Sequence, residues 1–148
     1  MKKLVLSIAI GILSIYNVNA QIKIIEDTST EIGYMKLPGM DKNITLTLDN
    51  DVYTFQYKDL QYKQVTKYSS FSFIGKESLN GLYDIMTKQF KAKKKTELKL
   101  ELGDNIITII TKKIFGSPYL QVIVEPKHFP SGYFNVEPKH MNKLFGKE

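Results

Sequence analysis

The chain has 148 residues, a formal net charge of +6 and no cysteine. That length supports one domain with a genuine core, and the missing thiols exclude disulfide staples, thiol nucleophiles, redox pairs and thiolate metal sites. Every basic residue is lysine and none is arginine; without the planar fork that grips phosphate and guanine bidentately, specific nucleic-acid recognition is not expected, while anionic lipid, polysaccharide or an acidic protein partner is still attracted.

In chain order, Met1, Lys2 and Lys3 make a positive start, residues 4–15 are apolar, and Val18-Asn19-Ala20 offers small or modest residues around a cleavage point. This layout predicts a secretory signal peptide over 1–20. The apolar run is shorter than the ~20 residues a spanning helix needs. No cysteine follows Ala20, which excludes a lipoprotein anchor at that cleavage point. The expectation is an exported protein, periplasmic or extracellular, not membrane-spanning after cleavage, with a single α+β domain over 21–148.

Residues 21–25 are short and β-prone, and 26–30 are polar. A strand is predicted over 32–37, stopped by Pro38-Gly39. Ile44, Leu46 and Leu48 alternate with Thr45 and Thr47, then Asp49-Asn50-Asp51 turns the chain into 52–58, where Tyr53, Phe55 and Tyr57 share one face. This is a hairpin. Extended character is read over 62–74, with a bulge near Ser69-Ser70 where the aromatic phase changes. After Gly75 the period becomes helical: Leu79, Leu82, Tyr83, Met86 and Phe90 recur at three and four, predicting an amphipathic helix from 76 or 78 to 91. Gly81 weakens it by about 1 kcal/mol relative to alanine.

Thr96 to Lys113 holds the clearest β signal. Leu98, Leu100 and Leu102 alternate with Lys99 and Glu101, a Gly103-Asp104-Asn105 turn follows, and Ile106 to Ile110 carries apolar groups on both faces. The second strand should therefore be interior and covered from two sides. Gly116-Ser117-Pro118 turns the chain into a strand over 119–125, residues 126–135 read as loop, and Pro138 starts a short helix ending at Gly146. The fold class is α+β: a meander-like antiparallel β-sheet of about six to seven strands, one main amphipathic helix packed on a face, and a short C-terminal helix.

The exported start, the 79–90 helix followed by a leucine-alternating hairpin, and the closing Leu144-Phe145-Gly146-Lys147 together resemble small exported proteins of unknown function common in Bacteroidota. The resemblance covers the second half of the mature chain and implies no activity and no site.

Two constellations invite chemistry. Val124-Glu125-Pro126-Lys127-His128 recurs as Val136-Glu137-Pro138-Lys139-His140, with the only two histidines. If they converged, Glu125, His128, Glu137 and His140 would offer nitrogen and oxygen ligands to a divalent metal, for metal binding or metal-dependent hydrolysis. Pro126 argues against a helical first copy, and two coincident proline turns are the simpler account. The second constellation is a binding surface: Tyr53, Tyr57 and Tyr62 among lysines as a stacking platform, or Lys91, Lys93, Lys94 and Lys95 as a cationic edge for an anionic envelope component. Against the first stands a core role for Tyr53 and Tyr57; against the second, a solvated helix end without flanking apolar anchors. An apolar pocket beneath the 79–90 helix is a further place for a ligand. No phosphate loop, serine elbow or calcium loop is present, Ser117 with His128 is not selected by spacing, and no cofactor is implied. The leading reading is a non-catalytic exported module that binds through its sheet or its lysine-rich edge.

Overall fold

The computed structural model describes residues 27–92 and 94–148; the expected leader over 1–20, the β-prone stretch 21–25 and Lys93 lie outside the described residues. Period-two patterning organises the first half. Four strands, β1 (Thr30–Lys36), β2 (Lys42–Asp49), β3 (Val52–Lys58) and β4 (Tyr68–Ile74), form an antiparallel sheet in that order. Alternate side chains turn inward: Met35 from β1, Ile44 and Leu46 from β2, Tyr53, Phe55 and Tyr57 from β3, Phe71 and Phe73 from β4. Thr45, Thr47, Thr54, Gln56 and Ser72 occupy the opposite face, as strand alternation requires. At the β2–β3 turn Asn50 and Asp51 take φ of 45° and 67°, the left-handed pair a two-residue hairpin demands.

Helix α1 (Lys76–Phe90) follows, with Leu79, Leu82 and Met86 buried. The second half repeats the plan: β5 (Glu97–Leu102), β6 (Asn105–Ile114), β7 (Ser117–Pro126) and β8 (Gly132–Val136) form a second antiparallel sheet, closed by a 3₁₀ turn at Pro138–His140 and helix α2 (Met141–Leu144). Each helix packs on the sheet of the other half, α1 on β6 and β7 and α2 on β1 and β2. Thr111 on the inner face of β6 donates to the Gln89 carbonyl oxygen at 3.2 Å, fixing the end of α1 there.

The two inner faces share one core. Phe134 of β8 lies 4.7 Å from the Tyr57 ring and 6.4 Å from Phe71, while Phe145 beyond α2 lies 5.6 Å from Phe55. Such aromatic pairs add about 1 kcal/mol each beyond their buried area. The contact of α2 with β1 needs Gly33, where a Cβ would stand 2.0 Å from the Lys143 carbonyl oxygen.

Several sequence expectations change. The strands number eight among the described residues, in two four-stranded sheets rather than one sheet of six to seven. The additional strand is β8, inside the stretch read as loop. No bulge interrupts the β3–β4 register, which runs unbroken from Val52–Ile74 to Lys58–Tyr68; residues 59–67 are irregular, so β4 starts only at Tyr68. Irregularities occur instead along β1–β2, after Glu31 and after Met35. The β6–β7 turn is centred on Phe115-Gly116, so Ser117 and Pro118 belong to β7. Strand β6 is interior in its sheet, but only one face is sealed: Ile107 and Ile109 are fully buried, while Ile106 is 37% exposed. Its outward isoleucines rest on cross-strand neighbours instead of a further layer.

Candidate functional site

The end of β3 and the loop after it are held to β8 by one carboxylate. Asp59 is 2% exposed and accepts from the Gln61 backbone N–H at 3.0 Å, the Tyr133 backbone N–H at 3.3 Å and the Ser69 hydroxyl at 3.3 Å. The Leu60 N–H donates to the Tyr133 carbonyl oxygen at 3.0 Å, so a backbone bond joins the loop after β3 to β8 beside it. Gly132 leaves the room, since a Cβ there would sit 2.4 Å from Asp59 Oδ2. Burial, and then the Asp59 charge, push the Tyr57 hydroxyl up to about 12 while the Ser69 hydroxyl opposes them. A buried carboxylate satisfied by backbone donors is a positioning device.

What it positions is a cleft of about 630 Å³ between the two sheets. Met35, Ile44 and Phe134, all core residues, reach its wall, and Leu37, Leu60 and Pro118 extend the apolar lining outward. Polar groups also line it: Asn43, Asn135, Lys58, and the ion pair Glu137–Lys139 at 2.8 Å. Lys58 forms no ion pair among the described residues. A volume of this size, apolar inside with a few polar groups, suits a small ligand or a short acyl chain. A lysine there is a flexible point charge suited to a carboxylate or phosphate head.

The sequence-derived sites fare differently. Tyr53 and Tyr57 are 5% and 1% exposed, so they are core residues and offer no outward platform. Tyr62 is half-buried in the 59–67 loop, with the Lys67 ammonium 4.2 Å from its ring centre. Lys91 is exposed just beyond α1, and Lys94 and Lys95 share a shallow groove with Lys112 and Lys113. The two Glu-x-x-His copies are not brought together. Glu125 is at one end of the β7–β8 hairpin and Glu137 at the other, since Leu120 pairs Val136 and Val124 pairs Gly132; six strand residues separate their levels by roughly 20 Å. Glu125 lies 3.1 Å from Lys99. Among the described residues no three His, Cys, Asp or Glu side chains gather as metal ligands. Burial, with Lys139 and Lys143 nearby, lowers the His140 imidazole below its ordinary value. Ser117 and His128 bracket the length of β7 and do not meet. The cleft residues come from strand ends and loops, and no residue of α1 lines it, so it is not the pocket expected beneath that helix.

Compared with known proteins, the chain matches no family model, no curated protein and no solved structure. No helix among the described residues is long and apolar enough to cross a membrane.

Proposed function

We propose that this protein is an exported, non-catalytic binding module of the cell envelope that takes an amphipathic ligand, an acyl or similar chain in the inter-sheet cleft with an anionic head at Lys58. The observation carrying this reading is the cleft itself, apolar over Met35, Ile44 and Phe134, with a lysine free of ion pairs among the described residues in its lining. Export is supported by the leader-like pattern over residues 1–20, with a mature terminus at Gln21.

Two measurements test it. Protein purified from the native envelope, extracted with organic solvent, should release an acyl-chain compound, and its N-terminal mass should correspond to Gln21. A fluorescent fatty acid should bind the purified protein and lose about ten-fold in affinity on Lys58→Glu, as expected when an attractive charge is replaced by a repulsive one at a half-desolvated head. Absence of binding by the wild type, or equal binding by Lys58→Glu, contradicts the proposal.

A further inference from the structure

Part of the second sheet extends beyond the strands that flank it. β6 and β7 are ten residues each, longer than any other strand among the described residues. β5 pairs with β6 only as far as Ile110, and β8 pairs with β7 only from Leu120 onward. The pairs Lys112–Tyr119, Lys113–Pro118 and Ile114–Ser117 therefore continue as a two-stranded ribbon with no strand on either side among the described residues. At about 3.4 Å per residue this ribbon projects on the order of 10 Å past its neighbours.

Its tip contradicts ordinary turn chemistry. Phe115 and Gly116 both have positive φ, at 49° and 83°. Two-residue turns of this kind favour Asn-Gly or Asp-Gly, and a bulky residue at the first position is an outlier. Phe115 gains nothing from the fold in return, because its side chain is fully exposed, at 104%, and Ile114 beside it is 52% exposed. An aromatic held in an unfavourable backbone and aimed at solvent points to something outside the chain.

Charge around the tip says what. Lys112 and Lys113 stand at the foot of the ribbon, and the segment after α1 brings Lys94 and Lys95 into the same shallow groove with Tyr119. Phe90, the large apolar residue beside the cationic edge in sequence, packs against the core, whereas the ribbon supplies an exposed anchor in space. Two exposed apolar side chains next to a groove lined by exposed Lys94, Lys95 and Lys113, with Lys112 held to Gln121 Oε1 at 2.6 Å, match an anionic bilayer, with Ile114 and Phe115 entering the acyl boundary and lysines meeting the headgroups. Pro118 offers no backbone N–H and lysines flank the ribbon, features that discourage strand addition by a peptide.

We infer that the β6–β7 ribbon is a membrane-docking element that inserts Ile114 and Phe115 into the surface of an anionic bilayer. Ile114 also lines the inter-sheet cleft, so docking turns that cleft towards lipid. The inference stands on the ribbon and holds whether or not the cleft carries a ligand.

The test uses the chain's lack of tryptophan, which makes Phe115→Trp a single reporter. Wild-type protein should float with vesicles of phosphatidylcholine mixed with phosphatidylglycerol and not with phosphatidylcholine alone, and added salt should release it. Emission of the Phe115→Trp variant should shift to shorter wavelength with the anionic vesicles and be quenched by brominated acyl chains. Phe115→Ser should lower partitioning about ten-fold, as should Lys112→Glu combined with Lys113→Glu. Because Phe115 touches no core, its variants should melt with the wild type. Phe115→Ser, which alters a residue outside the cleft lining, should still bind the fluorescent fatty acid as the wild type does, which separates this test from that of the cleft. Wild-type protein that ignores anionic vesicles, or Phe115→Ser that floats as well as wild type, overturns the inference; so does capture of the tip by a soluble protein without any vesicle binding.

Discussion

At Gly33 the fold leaves no space for a side chain, because the carbonyl oxygens of Lys143 and Leu144 would lie 2.0 and 2.5 Å from a Cβ. Backbone atoms cannot swing aside, so Gly33→Ala should cost about 2 kcal/mol or more, read from urea unfolding, by lifting α2 from β1. Tyr57 gives a prediction of another kind. Its folded value of about 12 stands above the ordinary 10.0, so between these pH values the folded state keeps a proton that the unfolded chain releases. That contribution to stability is fully present below pH 10 and is lost as pH rises towards 12. Urea midpoints should fall across this window, and Tyr57→Phe should flatten the fall; an unchanged slope would count against the buried hydroxyl. The same residue shows what alternation conveys. Tyr53, Phe55 and Tyr57 sharing a face was plain from spacing, but whether that face met solvent or core depended on Phe134, some 80 residues away, and on a strand not expected there.

Among elements, α1 and the β2–β3 and β5–β6 hairpins followed from local pattern, because period and turn residues agree within each segment. α1 was expected from 76 or 78 to 91 and spans Lys76–Phe90. Gly81 lies within it with nothing near the position of a Cβ. Gly81→Ala should therefore raise stability by about 1 kcal/mol in thermal or urea melts, and a decrease would mean that the helix packs more closely there than the structure has it. β8 escaped notice for a physical reason. Its five residues contain Gly132 and Asn135 and follow Pro130, so breaker signals outweighed the alternation of Phe134 and Val136 with Tyr133 and Asn135. The bulge expected near Ser69-Ser70 arose from reading Tyr68 and Phe71 as members of one face, whereas Tyr68 points outward at 42% exposure and Phe71 and Phe73 point into the core from an unbroken register. The ribbon tip had a readable sign: Ile114-Phe115 directly before Gly116 places two large apolar groups at a turn.

At the scale of the whole molecule, two four-strand-and-helix halves exchange their helices and close one aromatic core between their sheets. No local rule predicts this, because period-two patterning says which face is inside and not which sheet it meets. The same gap in information hid the cleft, whose lining joins Leu37, Leu60 and Pro118 from loops and strand ends to Ile44 and Phe134 from separate sheets. It also hid that the Glu-x-x-His copies lie apart, since two copies spaced by twelve residues fall here on the two ends of one hairpin. The proposed role of the space between the sheets, as a binding site for an amphipathic ligand, is open to direct observation. Titrating a saturated acyl carboxylate into labelled protein while following backbone amide resonances tests it most directly. Saturable shifts are expected at Ile44, Lys58, Leu60 and Phe134, with Thr47, Thr54 and Ser72 on the outer face of the first sheet unmoved. Unmoved cleft residues, or shifts confined to that outer face, would contradict it.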